Sequence, residues 1–226
     1  MHGRKFLIIG LVLLAVGLWA PAGQADLITN GSFENTNNTF VPDSNDTMSL
    51  PVSSTAIPGW EVTTGSIAWI GPTNTFGLTA SKGDFFLDLT DYRDAVPYGG
   101  VAQTNINTVP GQKYLLGFDL GSSTTYGIPG AITVSATAGP TSQTFTSTNT
   151  SSSNAWEHFT MEFTATGLTT TISLTGSVAG QNNAGKYIGL DNVTVSSVPI
   201  PPSALLLGSG LVALGLLARR RRQSRG

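Results

Sequence analysis

The 226-residue chain contains no cysteine, which excludes disulfides, thiolate metal sites and cysteine nucleophiles. Histidine is almost as scarce: of the two present, His2 lies at the N-terminal end and only His158 stands in the body of the chain. A single histidine with no nucleophile elbow gives a Ser-His-Asp arrangement nothing to rest on. It reads instead as an outward-facing strand residue beside Trp156 and Glu157. Charged residues make up only 11% of the chain, and cations are rarest in its middle. Seven of the 11 basic residues lie at the ends, so Lys82, Arg93, Lys113 and Lys186 face thirteen acidic residues between Asp26 and Asp191, a balance of about −9. Nucleic acids and anionic lipids need clustered Lys and Arg, so this region is read as having no nucleic-acid partner, with room for divalent cations. Between the ends there is no helical period and no glycine-rich phosphate loop opening a helix.

What is present begins with the two ends. Arg4 and Lys5 precede an apolar run over 6–18, and small residues lead to Gly23 and Ala25. This is the layout of a secretory signal over 1–25, with signal peptidase cutting after Ala25. At the other end, Pro199, Pro201 and Pro202 stiffen the chain, 203–218 is apolar or small throughout, and arginines fill 219–222. As a helix the apolar stretch would span roughly 24 Å, short against a hydrocarbon core of about 30 Å. The arginines would stay cytoplasmic and leave the preceding domain outside the inner membrane. Pro-x-Pro, a short apolar helix and an arginine cluster, in that order over 198–226, resemble the PEP-CTERM sorting signal. The resemblance implies handling by an exosortase-type membrane protease near Pro199 and Pro201, in bacteria that make exopolysaccharide. Ile200 stands where the family pattern has glutamate.

Between these signals, 26–197 reads as one all-β domain. Tyr114, Leu116, Phe118 and Leu120 share one face of a strand; Phe159, Met161 and Phe163 share another, opposite His158, Thr160 and Glu162. Ile132, Val134 and Ala136 alternate with Thr133, Ser135 and Thr137, and Ile172 and Leu174 alternate with Thr171, Ser173 and Thr175. Apolar-in, Thr/Ser-out alternation marks half-buried strands. Further strands are predicted over 27–34, 59–62, 66–70, 84–89, 101–105, 141–146 and 187–196. Loops are predicted over 35–56, 71–82, 90–99, 147–154 and 177–186. Val109-Pro110-Gly111-Gln112 has the composition of a type II turn. Short strands separated by Gly and Pro indicate a jelly-roll β-sandwich.

The order of motifs is similar to the choice-of-anchor C and DUF642-like domains. It runs from Asn30-Gly31-Ser32-Phe33-Glu34 through Pro58-Gly59-Trp60 and Gly83-Asp84-Phe85-Phe86-Leu87-Asp88 to Leu190-Asp191-Asn192-Val193. That resemblance implies a galactose-binding-like fold. It also implies a structural calcium tying the first strand to the last, through Glu34 and Asp191. The residues allow this, since two carboxylates with backbone carbonyls suit a hard cation and alternation fails between Leu190 and Val193, where a bulge could re-aim a side chain. They equally allow Glu34 to be an exposed strand end and Asp191 a turn cap.

For a ligand, the residues point to the loop carrying Tyr92, Arg93 and Tyr98 with Asp91 and Asp94, because binding groups tend to lie on loops of a rigid sandwich. Trp60 reads as packing. A glycosidase needs two carboxyl groups about 5–10 Å apart, and Asp84 and Asp88 on one strand would stand roughly 13 Å apart. The expectation is therefore a non-enzymatic protein of the cell surface or extracellular matrix, structural or adhesive. The alternative is a lectin-like module with a defined site for exopolysaccharide or another glycan.

Overall fold

The computed structural model describes residues 25–93, 96–123, 125, 130–148, 155–177, 187–199 and 223. The segments predicted as signal peptide and sorting helix, apart from their boundary residues, lie outside the described residues, as does Asp94. Among the described residues no helix is long and apolar enough to cross a membrane.

Among the described residues there are eleven strands: β1 (Thr47–Leu50), β2 (Glu61–Thr64), β3 (Ile67–Ile70), β4 (Phe86–Asp88), β5 (Gly100–Asn107), β6 (Lys113–Gly121), β7 (Ile132–Ala138), β8 (Thr141–Ser147), β9 (Trp156–Thr164), β10 (Thr169–Ser177) and β11 (Gly189–Ser197). They make two sheets, β1-β3-β4-β11-β6-β9 and β2-β5-β10-β7-β8, and every pairing is antiparallel. Successive strands repeatedly change sheet, as in β5 to β6, β6 to β7 and β8 to β9, which gives the expected jelly-roll sandwich.

The alternation seen in sequence sets the inner faces. Trp69, Leu116, Phe118 and Leu120 from one sheet meet Val101, Val134, Ile172 and Leu174 from the other, and all are fully buried. Each such side chain contributes about 1.5–3 kcal/mol through burial. The outer face of the five-stranded sheet is a grid of hydroxyls. Thr133, Ser135 and Thr137 pair with Thr146, Thr144 and Ser142 on one side and with Ser177, Thr175 and Ser173 on the other. The 109–112 turn forms as predicted, with Gln112 N–H donating to Val109 O at 3.0 Å and Gly111 at φ 80°, the conformation this turn requires at its third position.

Two predictions fail locally. Residues 27–34 are not a strand. Leu27 N–H donates to Val195 O at 2.8 Å, but Asn30 and Phe33 then turn left-handed at φ 54° and 60°. Ile28 and Phe33, of opposite parity, are both buried, as the turn between them allows. The segment is a strap over β11, and its Gly31 approaches so closely that a Cβ would stand 1.9 Å from Val193 O. Strand β1 was hidden in the predicted 35–56 loop. It is four residues long, and its Met48 and Leu50 pack inward while Thr47 and Ser49 face out.

Candidate functional site

The outer face of the six-stranded sheet differs from the hydroxyl grid opposite. One cross-strand row runs Ser49, Ala68, Asp88, Gly189, Gly121, Trp156 through all six strands. Its small central residues leave a shelf. The 71–82 loop folds onto that shelf and packs Phe76 and Leu78 against Ala68, Ile70, Phe86 and Tyr187, forming a second apolar cluster outside the main core. Polar clasps hold the loop down. The Asp46 carboxylate accepts from Thr73 N–H at 2.7 Å and Thr73 Oγ1 at 2.8 Å. Asn74 Nδ2 donates to Gly71 O and Leu78 O at 2.9 and 3.1 Å, Trp156 Nε1 donates to Thr79 O at 2.9 Å, and Ser81 Oγ donates to the Asp119 carboxylate.

Where this loop meets β1 and the 3-10 turn Asp91–Arg93, a cavity of about 230 Å³ remains. Its walls include the rings of Phe76, Tyr92 and Tyr187, and its polar groups include Asn45, Asp88 and Asp91. The volume lies below the roughly 300–1,000 Å³ of drug-sized sites, which suits one small ring rather than a chain. Tyr92 stands at the mouth, 48% exposed, its ring edge-on to Phe76 at 6.1 Å. Its hydroxyl donates to Asp43 Oδ2 and accepts from Asn45 Nδ2 at 3.3 Å. Partial burial, and then the bond to Asp43, raise the Tyr92 pKa; the same bond lowers that of Asp43. Asp88, also in the lining, takes three donors on one oxygen: its Oδ1 accepts from Thr90 N–H at 3.0 Å, Thr90 Oγ1 at 2.6 Å and Ile188 N–H at 3.3 Å.

The predicted ligand trio is only partly assembled here. Tyr92 lines the cavity. Tyr98 does not: it is 5% exposed and belongs to the main core, its Cβ lying 2.8 Å from where a Gly176 side chain would begin. The apolar ring leaves the loop for the space between the sheets, so Tyr92 and Tyr98 share no surface. Arg93 closes the 3-10 turn, and its side chain lies outside the described residues. Asp91 is the group that sequence reasoning named only as a neighbour. His158 does face outward, but it is paired, with Nδ1 2.6 Å from Asp119 Oδ1.

Glu34 and Asp191 both grip the turn before β4. Glu34 Oε1 accepts from Asp84 N–H at 2.9 Å and Phe85 N–H at 2.7 Å. Asp191 accepts from Lys82 N–H at 2.8 Å and Asn192 N–H at 2.6 Å. Pairing between β11 and β6 shifts register between Asp191 and Thr194, with Asn192 at φ 51°. Asp191 is fully buried. Desolvation pushes its pKa up to about 7 against the lowering effect of its backbone donors, and the Asp119 charge adds to the rise. Both carboxylates thus take backbone N–H donors. Among the described residues no group of three or more acidic or histidine side chains is arranged around a metal, so a calcium here would take most of its oxygens from backbone carbonyls.

A family model described as a protein of unknown function, DUF642, matches residues 26–196. The chain belongs to the DUF642 family. This DUF642 chain is also 38% identical over 68 residues to halomucin of Haloquadratum walsbyi, a match covering 28% of the chain and 1% of halomucin's length. Among solved structures it is similar to an arabinose-bound α-L-arabinofuranosidase, with TM-score 0.51 and 14% identity over 81% of this chain and 28% of that one. A xylan-binding domain from Paenibacillus barcinonensis gives TM-score 0.43 and 11% identity over 80% of this chain and 99% of that one. The arabinofuranosidase likeness is one of fold.

Proposed function

We propose that this DUF642 protein is a non-catalytic glycan-binding module that holds one sugar unit in the cavity between the 71–82 loop, β1 and the Asp91–Arg93 turn. The observation that carries the reading is that cavity's composition: aromatic rings on its walls, carboxylate and amide groups among them, and the volume of a small ring. Rings offer π faces to sugar C–H groups while carboxylates accept from hydroxyls. The donors on Asp88 Oδ1 and the two serines on Asp91 Oδ2 hold both carboxylates in place, which suits fixed recognition better than proton transfer. The test is retention of the protein on its host's exopolysaccharide. Tyr92→Ala should weaken retention roughly tenfold, from loss of one ring and one hydrogen bond. Equal retention of the variant would remove the cavity from the account.

The setting follows from the two ends. We propose export by the 1–25 signal, cleavage after Ala25, and sorting by an exosortase-type protease near Pro199 and Pro201, with transient residence in the inner membrane and final placement at the cell surface or in the matrix. A calcium at Glu34 and Asp191 would brace the 30–34 strap against β11 and serve stability, not ligand contact.

A further inference from the structure

One end of the sandwich is apolar where turns are ordinarily polar. The turn between β5 and β6, the turn between β9 and β10, and the residues after β11 meet there. Thr108 N–H donates to Leu168 O at 2.9 Å, Gly111 N–H to Ala165 O at 2.8 Å and Ala165 N–H to Gln112 O at 3.0 Å, which binds the two turns to each other. Val198 N–H donates to Lys113 O and Gln112 Nε2 to Val198 O, both at 2.8 Å, so the chain leaves the domain beside them at Pro199. In these turns stand Leu168 and Val109, 76% and 62% exposed. Turns favour Gly, Pro, Asn, Asp and Ser, and neither side chain belongs to an apolar cluster of the domain, so packing gives no reason for them. Pro110 and Gly111, next to Val109, are exposed as well. Lys113 and Glu162, on the adjoining strands, pair with each other and add no net charge, in a region that carries about −9 overall.

We propose, resting on the membrane-anchored setting above, that this end is a lipid-contacting face, with Val109 and Leu168 seated in the interfacial layer of the bilayer while the chain is anchored through 203–218. Chain length supports it. From Pro199 to Ser203 is four residue steps, at most about 14 Å fully extended, so an anchored chain holds these turns close to the headgroups. Two apolar side chains bind a membrane weakly by themselves; a tether this short supplies the effective concentration that makes the contact persist. The partner surface is zwitterionic lipid, because Lys113 is committed to Glu162 and anionic headgroups need free cations. The same geometry aims the ligand cavity outward. Its Asp88 pairs with Gly189 at the start of β11, and the strand then runs on to Ser197 at the exit, a separation of roughly 26 Å.

The chain has no cysteine, so Leu168→Cys, Val109→Cys and Val52→Cys can each carry a single environment-sensitive dye. Val52 is the exposed apolar control: its neighbour Ser53 bonds through N–H to Val62 O, and Val62 pairs with Val101, six residues along β5 from Asn107. The full chain is reconstituted into phosphatidylcholine vesicles containing lipid with a nitroxide high on its acyl chain, and flotation with the vesicles reports anchoring. Nitroxide lipid should quench the dyes at 168 and 109 at least about threefold more than the dye at 52, since interfacial groups sit about 5–10 Å into the headgroup–acyl boundary. Iodide in the buffer should show the reverse order. Melting midpoints should match the unsubstituted chain, because all three positions are exposed. Flotation with equal quenching at the three positions would overturn the inference while leaving the anchor intact, and failure to float would overturn both. Shielding of 168 and 109 that rises with protein concentration in detergent, without vesicles, would assign the face to a second copy of this chain and overturn the inference too.

Discussion

A carboxylate with no exposed surface must either find donors or hold its proton, and Asp191 does some of each. Its folded pKa of about 7 stands above the ordinary value of 3.8, so between roughly pH 4 and 7 the folded state keeps a proton that the unfolded chain releases. Stability must therefore fall as pH rises through that window and level off above it. A calcium beside Asp191 would favour the ionised form and remove the slope. Melting in chelator should show a midpoint declining from pH 5 to 8, and excess calcium should raise it most at pH 8. Asp191→Asn should flatten the chelator profile. A calcium-independent midpoint with no pH slope would exclude the bound ion and also the raised pKa. At the same scale, Tyr92 and Tyr98 show how far a residue type can be read from sequence. Both are tyrosines of one predicted loop, yet one lines a cavity and the other fills the core, because the chain turns inward between them.

Among the elements, the long strands and all the short ones but β1 were legible. β7 and β10 alternate apolar with Thr/Ser, and β6 and β9 carry apolar residues at every second position, over seven to nine residues, long enough for a period of two to emerge. β1 has four residues, too few to stand out inside a long polar segment, whereas β4, with three, lies within the strand predicted over 84–89. The strap at 30–34 was misread as a strand although Asn30-Gly31 is a turn dipeptide, and Asn30 and Phe33 do turn left-handed there. Gly31 is the crucial position. Gly31→Ala would drive a Cβ into Val193 O and break the bond from Val193 N–H to Gly31 O, 2.8 Å long. The expected cost is at least ~2 kcal/mol, read by denaturant melting; a change below half that would show the strap to be dispensable. The cavity was illegible for a different reason. Thr/Ser-out alternation implies a solvated outer face, whereas here a loop covers one. Phe76, Leu78 and Ala80, apolar at every second position inside a polar loop, were the available signal.

For the whole molecule, the proposed ligand face lies on one of the sandwich's two sheets. The termini can be tested by intact mass of protein secreted from the native host. Processing predicts a chain starting at Asp26 and ending near Pro199, and secreted material retaining the arginines at 219–222 would contradict sorting by cleavage. The two outer faces give the central claim its sharpest contrast. One is a grid of Ser and Thr with no aromatic ring among its nine paired positions; the other carries the cavity, with Phe76, Tyr92 and Tyr187 around it. Backbone amide shifts recorded by NMR during titration with a bound glycan fragment distinguish them. The account predicts perturbations concentrated at Asn45, Thr47, Thr75, Phe76, Asp91 and Tyr92. Shifts confined to β7, β8 and β10, or none at saturating glycan, would contradict it.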